Sequence, residues 1–344
     1  ARRAVAVAHD EHPIEHGLVC VLSAVEPCTI WNVHRSREQK RIVLEPRRGK
    51  CLHLYHYFLD PVLGPIHVRL QTWLPFTLQV YVNGREWLAR RMRKEGLDFT
   101  QADNCFSRPA DPVRAQQLFN GFVAEPWQHR LDQLAALVHP ALTGFLDSFK
   151  ANYFWTVHQS EWATDVMFRD PEVLASLMPA WVRHAIADLH CSDVFRFLGK
   201  KLSGNYQGEV LTQVRRRPEG ICVKYVVGNN SLKFYDKYGN LRVEATVNNP
   251  KAFRVNRRAE GGNAATKHLR PLRKGLADIR LRANVCQAAN KRVLEDLAVV
   301  DDATPLKDLV QTVTQPTELG GRRVRALQPW SPPDVALLEA VARG

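Results

Sequence analysis

Tyr235 stands between Lys233 and Lys237 in the run Asn230–Lys237, with Asp236 beside it and Glu244 in the next alternating run. A phenol flanked by ammonium groups can attack a phosphodiester and form a phosphotyrosine link if a carboxylate or metal eases its deprotonation. Asp236 and Glu244 are the candidate carboxylates, and Mg²⁺ or Mn²⁺ would polarise the phosphate oxygens. The plainer alternative is a tyrosine that packs at a sheet edge and hydrogen-bonds through its hydroxyl. A second acidic pair, Glu161 and Asp165, is spaced for one face of a helix and could share a divalent ion in a metal-dependent nuclease. Its alternative is a cap and a partner for Arg169.

The elements that must position these groups follow from periodicity. Ile221–Asn248 reads as three short strands joined by Gly/Asn turns. Side chains alternate across a strand, so Leu232 and Phe234 fall on one side and Lys233, Tyr235 and Lys237 on the other. Leu241, Val243, Ala245 and Val247 form the apolar side of the third strand, opposite Arg242, Glu244, Thr246 and Asn248. If the apolar sides share a core, Lys224, Lys233, Tyr235, Arg242 and Glu244 gather on one polar face suited to a phosphate backbone.

Charge supports that face. The chain of 344 residues carries 48 Lys and Arg against 35 Asp and Glu, a net +13. Between Lys200 and Arg292 there are 21 basic and 6 acidic residues, and 21 − 6 = 15 exceeds the whole net charge. Such an excess favours polyanions through counterion release. The expected track is Arg215, Arg216, Arg217, Lys224, Lys233, Lys237, Arg242, Arg254, Arg257, Arg258, Arg270, Arg273, Lys274, Arg280 and Arg282. Aromatic residues near basic ones, including Trp73, Tyr81, Trp87, Tyr153, Phe154, Trp155 and Trp162, could stack unpaired bases or fill the core.

The expected class is α+β. A β-rich N-terminal unit with helices spans 1–140, with strands at Gly17–Val25, Thr29–His34, Arg41–Leu44, Leu52–Phe58, Ile66–Trp73 and Thr77–Val82, followed by helices at Arg85–Glu95, Asp111–Asn120 and Trp127–Leu137. A helical segment over 141–200 contains Leu142–Lys150, Asp170–Leu177, Ala180–Leu189 and Ser192–Leu198. The basic β-meander and a long helix at Leu276–Leu297 occupy 201–300, and a Pro-containing linker or tail fills 301–344.

Seven cysteines, odd in number and without a C-x-x-C pair, read as buried thiols rather than a disulfide scaffold. Cys28, Cys51 and His53 could contribute to zinc, but no fourth ligand is evident. The sequence shows neither an apolar run of spanning length nor a signal-peptide pattern, so the expectation is a cytoplasmic protein with no membrane partner. Its partner is a nucleic acid, DNA ahead of structured RNA, and a homo-oligomer is compatible with the sequence.

The pattern Asn230-Ser231-Leu232-Lys233-Phe234-Tyr235-Asp236-Lys237, followed by Leu241-Arg242-Val243-Glu244, resembles the Tyr-Asp-Lys and Arg-x-Glu segments of rolling-circle replication initiators of plasmids and phages. That resemblance implies DNA nicking and strand transfer in a replicon or mobile element, with Tyr235 as nucleophile. The metal-binding histidine pair found in many of those enzymes is absent; His67-Val68-Arg69 does not supply it. The chain is also similar to an uncharacterised bacterial protein family through Lys50–Tyr55, Arg69–Phe76, Asn83–Leu88 and Glu161–Phe168. Members of that family continue past the position of Gly344 into a winged-helix-like segment, which implies a longer native protein. A non-catalytic RNA-binding subunit of a ribonucleoprotein is the alternative from another class.

Overall fold

The described residues of the computed structural model are 2–11, 13–150, 152–259, 267–300, 316–319, 321–326 and 333–334. After α1 (Arg2–Glu11), four antiparallel strands, β1 (Gly17–Arg35), β2 (Ile42–Asp60), β3 (Gly64–Gln71) and β4 (Leu78–Tyr81), form one sheet in sequence order. The breaks expected at Glu26–Cys28 and Glu45–Cys51 do not occur. Pro27 pairs with Lys50 and Pro46 with Trp31 inside an unbroken ribbon. A proline lacks a ladder donor but is accepted where a strand side is unpaired, and here β1 is a sheet edge and β3 pairs only with His53–Asp60 of β2.

Helix α2 (Gly84–Lys94) packs Trp87, Leu88 and Met92 against Phe58, Ile66 and Val68 of this sheet. Asn83, expected as part of a turn, instead caps the helix: its side-chain oxygen accepts from the Arg85 N–H at 3.0 Å. A small hairpin, β5 (Thr100–Ala102) and β6 (Cys105–Ser107), precedes α3 (Pro112–Asn120), α4 (Trp127–Val138) and α5 (Leu142–Phe149). Asp111 caps α3 through the Arg114 N–H, with Pro112 pre-set in the first turn.

A second sheet holds β7 (Ser160–Met167), then, after α6 (Pro171–Ala187) and α7 (Cys191–Phe197), the strands β8 (Val210–Arg217), β9 (Gly220–Val227), β10 (Asn230–Lys237) and β11 (Asn240–Val247). Its order is β7-β11-β10-β9-β8, all antiparallel. The β10–β11 turn places Tyr238 (φ 55°) and Gly239 (φ 80°) in the left-handed region, the backbone twist that two-residue hairpins require. Helix α6 runs through Pro179 where a break was expected. Its proline forfeits one internal bond, while Leu174, Met178 and Trp181 on either side stay buried in one core.

The hairpin of β12 (Arg254–Arg257) and β13 (His268–Pro271) leads to α8 (Ile279–Leu297), whose Ala283, Cys286, Ala289, Val293 and Leu297 share a core with Val223, Tyr225, Phe234, Val243 and Ala245. The middle of the basic loop expected over Arg254–Arg270 lies outside the described residues. So does most of the 301–344 tail, where β14 (Thr317–Leu319) pairs with β15 (Arg322–Val324) and residues 333–334 are helical at the start expected at Asp334. The protein is therefore α+β. The expected boundary near 200 falls inside one structural layer, because β7 is a strand of the meander's own sheet. No helix among the described residues is long and apolar enough to cross a membrane.

Candidate nucleic-acid interface

Cross-strand register confirms the two faces of the meander. Lys233 lies opposite both Lys224 and Glu244, and Tyr235 lies opposite both Cys222 and Arg242. Leu232, Phe234, Val243 and Ala245 occupy the core side. The polar side is nevertheless not an open surface. Strand β7 extends it with Glu161 and Asp165, while α2 and the β5–β6 hairpin cover it through Arg85, Asp103, Asn104 and Cys105.

Arg242 shows the consequence. Only 1% exposed, it donates from Nε to Asp165 Oδ1 at 2.6 Å and from Nη2 to Asp165 Oδ2 at 2.9 Å. Its remaining donors reach Asn104 Oδ1 at 2.9 Å and the Asn104 carbonyl at 2.8 Å. Arg85 adds a second guanidinium 3.0 Å from Asp165. Burial alone would raise the Asp165 carboxyl, but Arg85 and Arg242 outweigh it and hold it below the ordinary carboxylate range. A carboxylate shared by two guanidinia has no charge left for a divalent ion, so Asp165 does not fit the expected Mg²⁺ or Mn²⁺ site. Glu161, on the same strand face rather than on a helix, lies beside Glu244; burial and that neighbouring charge raise its carboxyl. Among the described residues no group of three His, Cys, Asp or Glu side chains is arranged to hold a metal, and the buried His53 Nε2 has no hydrogen-bond partner.

The expected catalytic residues are also engaged in the fold. Tyr235 is 5% exposed and donates to Glu244 Oε2 at 3.3 Å. Burial, then the Glu244 charge, push its hydroxyl far above the ordinary phenol value, which makes phenolate formation harder rather than easier. Lys233 Nζ sits 2.5 Å from Glu244 Oε1, so the carboxylate expected as a base is neutralised by an ammonium. Asp236 points away from Tyr235, as alternation requires, and accepts the Gly239 N–H at 2.8 Å to close the β10–β11 turn. The geometry thus corrects the nucleophile reading: these three side chains build the hairpin and its interface.

The fifteen expected phosphate-binding residues separate into two groups. Arg217, Lys233, Lys237, Arg242, Arg257 and Arg273 are in ion pairs, with Glu219, Glu244, Asp103, Asp165, Asp278 and Asp278 respectively. Arg282, fully buried, donates to the Val247 and Arg273 carbonyls, and burial lowers its basicity. Arg215, Arg216, Lys224, Arg254, Arg258, Arg270, Lys274 and Arg280 have no ion pair among the described residues, and all but Lys224 and Arg270 are exposed. Arg215 donates to Gln213, and among the described residues the buried Nε of Arg270 has no hydrogen-bond partner. Of the aromatic candidates, Trp87 and Trp162 are core residues, whereas Trp73, Tyr81, Tyr153 and Phe154 are exposed.

A second basic concentration lies outside the expected track. Residues 34–50 hold Arg35, Arg37, Lys40, Arg41, Arg47, Arg48 and Lys50 against Glu38 and Glu45, and 7 − 2 = +5. That surplus was countable in the sequence, but the continuous ribbon that displays it depends on β1 and β2 running unbroken. Compared with protein families, curated proteins and solved structures, the chain matches none.

Proposed function

We propose that the protein binds nucleic acid non-covalently, with duplex DNA as the preferred partner, in the replicon or mobile-element setting that the initiator resemblance implies. The observation that carries this reading is the set of exposed cations left without carboxylates among the described residues: Arg215 and Arg216 on edge strand β8, Arg254 and Arg258 on the β12–β13 hairpin, and Lys274 and Arg280 before and on α8. Unpaired surface guanidinia keep their full attraction for phosphate, whereas buried paired ones such as Arg242 would have to break an internal bond first. Strand transfer is not part of the proposal, since Tyr235 lacks both access and an activating base.

Fluorescence anisotropy with labelled duplex DNA, single-stranded DNA and a folded RNA over a salt series tests the reading. Tight duplex binding that weakens steeply with salt is expected. Converting Arg215, Arg216, Arg254 and Arg258 together to Gln should lower the log–log salt slope by about 0.9 for each phosphate no longer neutralised. Preference for folded RNA would transfer the site to a ribonucleoprotein subunit, and no salt-sensitive binding to any of the three would sink the proposal.

A further inference from the structure

We infer that the distal half of the β1–β2 hairpin is a groove-entering arm that touches duplex DNA; this rests on the reading above and adds a second binding element to it. Beyond Leu52, β2 has no β3 partner, so residues 26–51 continue as a two-stranded ribbon. Its root is held by the loop after β3: the Trp31 N–H donates to the Leu74 carbonyl at 3.1 Å, and Trp73 Nε1 donates to the Trp31 carbonyl at 3.0 Å. Past that buttress, no other strand among the described residues pairs with the ribbon.

The side chains on this ribbon are unusual for a solvent-facing strand pair. One face carries Trp31 opposite Pro46, Val33 opposite Leu44, and Arg35 opposite Ile42. Trp31, Val33, Ile42 and Leu44 are all substantially exposed, with Ile42 at 68%. None of the seven cations between Arg35 and Lys50 has an ion pair among the described residues. An apolar strip bounded by uncompensated cations matches a groove floor of base edges and thymine methyls between two phosphate rows, and a two-stranded ribbon has the width that a major groove admits.

Two other occupants fit less well. A second copy would bring two arms of net +5 together, with only Glu38 and Glu45 on each to offset seven cations. A membrane-inserting hairpin needs an uncharged tip, and this tip carries Arg37, Lys40 and Arg41.

The test uses the whole chain and two variants, one with Arg35, Arg37, Lys40 and Arg41 changed to Gln and one with Val33→Ser and Leu44→Ser, each checked for native circular dichroism. The probe is a labelled thirty-base-pair duplex (roughly three helical turns), with dimethyl sulfate reporting guanine N7 access in the major groove. The Gln variant should lose up to about 3.6 from the salt slope, at about 0.9 per neutralised phosphate, and both variants should lose the N7 protection seen with the parent. Parent-like slope and protection in both variants would overturn the arm while leaving the binding reading intact; no duplex binding by the parent would overturn both. A fall from dimer to monomer in the serine variant, or arm-dependent retention on phosphatidylserine vesicles without N7 protection, would equally reject DNA as the occupant.

Discussion

Replacing Asp165 separates a structural from a phosphate-binding role for Arg242. In the native protein one carboxylate faces two guanidinia, with Arg242 Nε at 2.6 Å and Arg85 Nη2 at 3.0 Å. Asp165→Asn keeps the shape and removes the charge, leaving the buried Arg242 and the partly buried Arg85 as like charges facing each other. Removing one member of a buried pair typically costs about 3–5 kcal/mol, and Asp165→Asn belongs at the upper end because both cations lose their counterion. Arg242→Met is the milder change. Arg85 still neutralises Asp165, and the penalty reduces to the missing hydrogen bonds and the unpaired Asn104 acceptors, about 2–3 kcal/mol. Urea unfolding followed by tryptophan fluorescence should therefore rank the midpoints as parent, then Arg242→Met, then Asp165→Asn. Affinity of the folded variants for duplex DNA should be unchanged. A parent-like midpoint for Arg242→Met combined with a large loss of DNA affinity would refute the reasoning, because it would mean the guanidinium serves phosphate and not Asp165.

Tyr235→Phe should cost no more than about 1.5 kcal/mol, the value of one hydrogen bond to Glu244, and gel analysis of labelled DNA with Mg²⁺ should show no covalent adduct in parent or variant. Phe234→Ala, which empties the fully buried centre of the second core, should lose about 3–5 kcal/mol in the same urea assay. His184 sits 3.0 Å from both Asp188 and Asp296, with Arg196 on the other oxygen of Asp296. Burial lowers its imidazole value, but the two carboxylates more than reverse this and raise it above 6.5. The protonated form is the one stabilised, so its contribution is full below 6.5 and is lost as pH rises through the higher folded value. Thermal melts across that range should show the parent losing stability relative to His184→Asn, and parallel curves would reject the assignment.

Local chemistry alone determined much of this protein. The alternation in Leu232–Lys237 and Leu241–Val247 settled which side chains face the core, because a strand allows only two faces. Asp111 and Asp170 announced helix starts, and the apolar spacing from Ala283 to Leu297 announced α8. Tertiary structure decided what those faces meet. Nothing in the sequence around Tyr235 says that residues 103–105, more than a hundred positions earlier, lie across the meander's polar side, or that Arg85 and Arg242 converge on Asp165. Whether a cation is free for phosphate depends on that distant partner and on burial, neither of which has a sequence period. The same reason hid the arm: the prolines at 27 and 46 look like strand breaks locally, and only the unpaired outer sides of the ribbon make them acceptable within it.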